Sequence, residues 1–377
     1  MKRGFVIALA GASLVLAACS TGATPSDGAS GGTDSSPPGS SVIDLKVPRT
    51  TGPNGEEPTP VTDLTLTNEE IAKLRAGKYS AAMLWNTSSA FVSAVQSGAQ
   101  AEFDRLGIKV SSTAGANFDA GLQANQIQSA MAKKPSVILS TPVDSTSAAA
   151  PFRPAVDAGT KLVFLSNVPD GYTRGKEYAS IVTDDLYQMG NQAAVALGEA
   201  MHGKGKVGVL FYDAKYYVTN QRDAVFKQTL ETKYPDIEVV AQQGFTDPNT
   251  AEGIASAMLT QHPDLGGIYT SWAGPAAGVL SALRSTSNTT TKVVTLDLDD
   301  QIVVDMATGG QTIAVVADKA WELGKGMADA AAYALLGKEP PAFAVAGVLT
   351  ISKDNVPQGY RDSLHADVPD AVRKVLK

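Results

Sequence analysis

The sequence is poor in reactive chemistry. Its 377 residues include one cysteine and three histidines, His202, His262 and His365. One thiol excludes an intramolecular disulfide and a zinc site built on several thiolates. Three scattered histidines read as surface or loop residues and leave little for catalytic or metal chemistry. Charge is scarce too: 18% of residues are charged and the net charge is -7. No basic run follows the first three residues, so the clustered cations that a nucleic-acid partner needs are missing. There is no phosphate-binding loop ending in Gly-Lys-Ser/Thr and no Gly-x-Ser-x-Gly elbow. Gly203-Lys-Gly-Lys-Val-Gly208 has the glycine spacing of a dinucleotide fingerprint, but it precedes a strand-like run where the fingerprint must follow one, so it reads as a loop. Asp297-Leu-Asp-Asp300 lacks the glycine and terminal glutamate of a calcium loop and reads as a strand-end aspartate followed by caps of the next helix. No catalytic residue, metal ligand or cofactor is expected.

What is abundant is burial potential. With 44% hydrophobic residues the chain can build sizeable cores, and its length fits two domains. The organising unit runs from Lys78 to Leu106. Lys78-Tyr-Ser-Ala-Ala-Met-Leu-Trp85 reads as a buried strand, Asn86-Thr-Ser-Ser89 breaks it, and Phe91, Val95, Ala99, Phe103 and Leu106 then form one stripe of a helix. Strands and helices alternate onward to Leu165, pause, and restart at Lys206, where Val207-Gly-Val-Leu-Phe211 is again followed by a polar loop and a helix. The pattern predicts an α/β protein with two similar doubly wound parallel-sheet domains, right-handed crossovers, and strand carboxyl ends lining a cleft for a small molecule.

Upstream lies a targeting segment. Met1-Lys-Arg3 is positive, Gly4 to Leu16 is apolar but too short to span a membrane, and Leu16-Ala-Ala-Cys19 resembles a bacterial lipobox in which Cys19 becomes the lipidated first residue. Residues 20–66 are assigned to a flexible tether, dominated to about Pro60 by Ser, Thr, Gly, Pro and Asp. Thr67-Asn-Glu-Glu70 has capping-box spacing, which predicts a short helix leading into the first domain.

Several short stretches, in order, carry a family likeness: Phe91 with Gly98-Ala-Gln100, Pro142-Val-Asp144, Thr183-Asp-Asp185 followed by Gly190, Gln221-Arg-Asp-Ala-Val-Phe226, His262-Pro-Asp264, Val293-Val-Thr-Leu-Asp297 and Leu335-Leu-Gly-Lys338. From Lys78 to about Ser352 the chain resembles the type I periplasmic sugar-binding proteins, the ribose-binding-like receptors of ABC importers. The resemblance implies two domains joined by a three-segment hinge. The first comprises residues 67–183 plus 319–344 and the second residues 184–318 plus 345–377. It also implies a binding protein and not an enzyme, acting as a monomer outside the cytoplasm, held by its lipid anchor and delivering a ligand to an ABC permease.

The same resemblance places ligand contacts at Trp85, Asn86, Ser89 and Phe91, although Phe91 serves equally well as core. Ser166-Asn167 stands where the family commonly has an Asp-Arg pair. Arg222 matches the family's second-domain arginine, placed in the first turn of its helix. Trp272 replaces a usual asparagine, Asp297 matches the strand-end aspartate, and Asp318 replaces a hinge glutamine. For Asp184 a structural role and a ligand contact fit equally. Arg222 against Asp297 and Asp318, with two tryptophans, makes an acidic, aromatic pocket. It suits a neutral sugar or sugar alcohol, or one carrying an amine, and disfavours anions. The rival function is a receptor that presents a small polyhydroxylated or amine signal to a membrane sensor.

Overall fold

The computed structural model describes residue 47 and residues 49–214 and 216–376. The signal segment and Cys19 lie outside these. In chain order the elements are β1 (Pro58–Pro60), α1 (Asn68–Gly77), β2 (Ser80–Trp85), α2 (Ala90–Leu106), β3 (Lys109–Gly115), α3 (Ala120–Met131), β4 (Val137–Ser140), α4 (Ser145–Asp157), β5 (Lys161–Leu165) and β6 (Ser180–Asp184). There follow α5 (Leu186–Ala200), β7 (Lys204–Tyr212), α6 (Tyr217–Lys233), β8 (Asp236–Phe245), α7 (Ala251–Gln261), β9 (Leu265–Thr270), α8 (Ala273–Ser285), β10 (Lys292–Leu296), α9 (Asp300–Ala307) and β11 (Thr312–Asp318). The chain closes with α10 (Ala320–Leu335), β12 (Phe343–Ala346), β13 (Val348–Ile351), α11 (Val356–Leu364) and α12 (Asp370–Arg373).

Two sheets result, ordered β1-β12-β6-β5-β4-β2-β3 and β13-β11-β10-β9-β7-β8. In both, the first strand of the repeating series lies between the second and the third, and all pairings are parallel except the antiparallel β11–β13 pair. The α/β prediction with two parallel sheets holds. Strand alternation feeds a core on each face of the first sheet. Ala81, Met83 and Trp85 meet α2 and α10 on one side, and Ala82 and Leu84 meet α3 and α4 on the other. The second sheet does the same, with Val207, Val209 and Phe211 against α5 and α6 and Leu210 and Ile268 against α7 and α8. Each fully buried Leu or Phe of this kind contributes about 1.5–3 kcal/mol.

Three chain crossings lie side by side between the lobes. Ala346 pairs with Asp184 at the end of β6, and Val348 pairs with Asp318 at the end of β11. Helix α10 packs with α2 in the first lobe, whereas α5 packs with α6 in the second.

Two expectations need correction. The described part of the tether is docked: Pro58–Pro60 pairs with β12, and Val61 and Leu64 are buried in the first core. Prolines cannot donate to a ladder, so this strand occupies the sheet edge. Further upstream Val47 packs on Ala224 and Val225 of α6, and the Thr51 carbonyl accepts from Gln221 Nε2 at 3.1 Å. Composition concealed this because backbone pairing and two or three apolar contacts are enough to seat a polar segment. Second, Gly203–Gly208 is not a loop: β7 begins at Lys204, and only Gly203 belongs to the preceding turn. The Thr67–Glu70 capping box is formed, with both reciprocal hydrogen bonds, at 2.8 and 3.2 Å.

Candidate ligand-binding cleft

In an open parallel sheet the strand ends diverge where the order reverses, leaving a crevice. Here those points are the carboxyl ends of β2 and β4 in one lobe and of β7 and β9 in the other. Polar residues gather around both.

Arg222 is the centre of the second lobe's contribution. It lies in the second turn of α6 and not the first, because the helix starts at Tyr217. Its Nη1 donates to Asp297 Oδ1 at 3.0 Å and its Nη2 to the Ser271 carbonyl at 3.1 Å. Arg222 is only 5% exposed. Burial alone opposes its charge, but the nearby carboxylates of Asp297, Asp184 and Asp318 outweigh burial and hold it firmly protonated. Burial pushes both Asp297 and Asp318 upward, Asp318 well above the ordinary carboxylate range because Asp184 and Asp297 crowd it with like charge. Asp297 has φ 65°, so the chain turns sharply as it leaves β10, while Asp299 caps α9.

Behind Arg222 sits Asp223, a residue to which sequence reasoning gave no role. It accepts from the Tyr269 hydroxyl and the Ser271 hydroxyl, both at 2.7 Å, and from the Tyr212 amide at 3.2 Å. Burial raises its carboxyl to about 6. The network fixes Ser271, whose carbonyl receives Arg222. An acidic residue beside an arginine on a helix was the available signal. Aromatic rings form a wall beside this network. Tyr212 meets Trp272 at 5.3 Å and Tyr216 at 6.0 Å, and Phe245 meets Trp272 at 5.1 Å. Such a wall suits the C–H faces of a small polyol.

From the first lobe Asp184 faces this cluster. Its Oδ1 accepts from the Thr183 hydroxyl at 3.1 Å, whereas its Oδ2 has no partner. Asn167 Nδ2 and Trp85 Nε1 are also buried without a partner. Unsatisfied buried polar atoms are costly, and those of Asp184 and Asn167, both beside the start of α6, mark where an external hydrogen-bonding molecule fits.

The sequence profile described as "Periplasmic binding protein domain" matches residues 81–339, well over half of the chain. The chain belongs to that family. Solved structures similar to this binding-protein chain include an ABC transporter solute-binding protein from Agrobacterium vitis bound with alpha-D-tagatopyranose. It is 27% identical, with TM-score 0.69, covering 76% of this chain and 99% of that one. Another is an ABC transporter solute-binding protein from Mycobacterium smegmatis with bound glycerol, 26% identical with TM-score 0.65, covering 74% and 96%. A curated relative from Rhizobium meliloti, provisionally named a rhizopine-binding protein, is 24% identical over 217 residues, 56% of this chain and 70% of that one.

Within this binding-protein fold the residues expected at the ligand separate into two groups. Arg222, Asp297 and Asp318 come together, with Asp184 and Asn167 beside them and Trp272 in the aromatic wall. The others have partners within the first lobe. Ser89 caps α2, accepting from the Val92 amide at 3.2 Å. Phe91 packs against the first lobe's core, as does Trp85, which is 1% exposed. The Asn86 carbonyl accepts from the Phe118 amide at 2.7 Å. Ser166 turns its hydroxyl to Thr183 at 2.9 Å and not outward. Among the described residues no group of His, Cys, Asp and Glu is placed to hold a metal ion, and no helix is long and apolar enough to cross a membrane.

Proposed function

We propose that the protein captures a small sugar or sugar alcohol between its lobes and delivers it to an ABC importer. The observation that carries the reading is the Arg222–Asp297 pair at 3.0 Å beside an aromatic wall, opposed by Asp184 and Asn167 from the first lobe with unpartnered polar atoms. A planar guanidinium and a carboxylate give vicinal hydroxyls a donor and an acceptor in fixed geometry. Arg222, Asp297, Asp318, Trp272, Asn167 and Asp184 supply the contacts. Ligand that touches both lobes stabilises the closed state only through that differential contact, and the closed state is what a permease selects. The similar structures bound with a sugar and with glycerol support this ligand class. The protein acts as a monomer outside the cytoplasm, cleaved after a signal peptide and lipidated on Cys19.

A thermal-shift titration against sugars and sugar alcohols tests this reading. One polyol raising Tm, with about 2.7 kcal/mol of stabilisation at a hundredfold excess over Kd, is the expected result. Silence across the panel overturns it. Replacing Cys19 by serine is expected to move the protein from the membrane to the soluble fraction, and unchanged membrane association would rule out the anchor.

A further inference from the structure

The polar cluster between the lobes holds more negative than positive charge. Asp184 ends β6, Asp318 ends β11, and Asp297 follows β10; Arg222 on α6 is the cation they share. Arg222 commits itself to Asp297, the Ser271 carbonyl and Met189 Sδ, at 3.0, 3.1 and 3.6 Å. No hydrogen bond runs from it to Asp184 or Asp318. Asp184 is 4% exposed and its Oδ2 has no partner; Asn167, 3% exposed, has an unpartnered Nδ2. Among the described residues the remaining titratable groups facing the cluster are Tyr216 just before α6, Tyr217 at its start, Tyr269 on β9 and Asp223 on α6, none of them a cation.

We propose that the ligand carries a protonated amine seated between Asp184 and Asp318, while its hydroxyls take Arg222, Asp297 and Asn167. The inference rests on the reading that a polyhydroxylated molecule occupies the cleft, and it names the group that sets specificity. A buried carboxylate beyond those that Arg222 neutralises must gain either a proton or a cation. Asp184 and Asp318 end strands that pair with Ala346 and Val348, two residues apart in the chain, and each is 4% exposed. An ammonium supplies what that proton supplies and adds charge-assisted hydrogen bonds to both carboxylates. A hydroxyl can bond Asp184 Oδ2 but leaves the charge unbalanced. Among the described residues no group of three or more His, Cys, Asp or Glu is placed to hold a metal ion.

The test is calorimetric titration of the full-length protein with matched pairs: D-glucose and D-glucosamine, D-galactose and D-galactosamine, D-glucitol and its 1-amino-1-deoxy analogue. In at least one pair the amino member is expected to bind at least roughly tenfold more tightly. Its affinity should rise with pH while the amine stays protonated, because ammonium and proton compete for the Asp318 carboxyl, which burial and neighbouring carboxylates push upward, while a neutral member's affinity stays flat. In Asp184→Asn and Asp318→Asn the ratio between members is expected to fall towards one. A neutral member binding as tightly as its amino partner overturns the inference and leaves the sugar reading intact. A preference that persists in both variants overturns the seat. Binding by no member of any pair overturns both readings.

Discussion

Helices α2 and α6 each follow the first strand of the repeating series in their lobe, and each runs for 17 residues. Their chemistry is opposite. The sixth residue of α2 is Val95, fully buried in the first core; the sixth residue of α6 is Arg222, equally enclosed but held by Asp297 and the Ser271 carbonyl. Helix α2 is an ordinary amphipathic helix with its apolar stripe inward. Helix α6 buries Thr219, Asn220, Gln221, Arg222 and Asp223 in succession, which no single apolar face explains. The strand ends repeat the contrast. Ser166 after β5 and Asp297 after β10 both have positive φ, and both donate their amide to the neighbouring strand, at 2.8 and 3.0 Å. Ser166 turns inward to Thr183, whereas Asp297 reaches Arg222. One scaffold position can therefore serve a core or a binding site. The partner waiting for the side chain decides which.

Substitutions that exchange the two uses should break this comparison most severely. Val95→Arg places an unpaired charge in a dry core and is expected to cost about 5 kcal/mol or more, leaving no folded first lobe by circular dichroism. Arg222→Ala leaves Asp297 facing Asp318 without a countercharge. Chemical denaturation should show a loss of about 3–5 kcal/mol together with loss of binding. A variant as stable as the parent would mean the cluster is already neutralised by protons.

Charge buried away from the cleft sharpens the contrast. On the far part of α2, Glu102 lies beside Asp329 of α10, with Arg105 and Lys325 as partners. Burial and the Glu102 hydrogen bond push Asp329 up to about 7. An unfolded aspartate titrates near about 4, so the folded protein retains a proton that the unfolded chain releases. Stability from this group is full below about pH 4, falls as pH rises through the window to about 7, and stays low above it. Asp329→Asn is expected to flatten that fall in a series of Tm measurements; an unchanged slope would assign it to other groups.

The helix contacts beneath each site give a smaller effect. A side chain at Gly190 on α5 would come within 2.3 Å of the Arg222 carbonyl, and one at Gly324 on α10 within 1.8 Å of the Val95 carbonyl. Gly190→Ala should cost about 1–3 kcal/mol by overpacking and weaken binding, because it displaces the backbone that carries Arg222. Gly324→Ala should cost stability without altering affinity. Smallest of all, Ser166→Ala removes one buried hydroxyl pair, worth about 1 kcal/mol in denaturant unfolding.

Much of this was legible in the sequence because the signals are local. Period-two and helical spacing located the repeating strands and helices, and the Thr67–Glu70 pair marked the start of α1. Arg222, Asp297 and Asp318 were legible as polar residues at strand ends or beside a loop. The docked segment before α1, with its strand Pro58–Pro60, was not legible, since its stability comes from β12 nearly three hundred residues away. Nor was Asp223 distinguishable from a solvated helix charge until Tyr269, Ser271 and Tyr212 surrounded it. Ser89, Phe91 and Trp85 looked like site residues because they flank the right loop, yet capping and core packing claim them.

The sequence by itself determined the two α/β lobes and their alternation, because hydrophobic periodicity is written residue by residue. Only the tertiary structure decided that Asp184, Asp318 and Asp297 crowd one arginine. Their strands end at crossings far apart in the chain, and charge interactions depend on distance through space, which sequence separation does not encode.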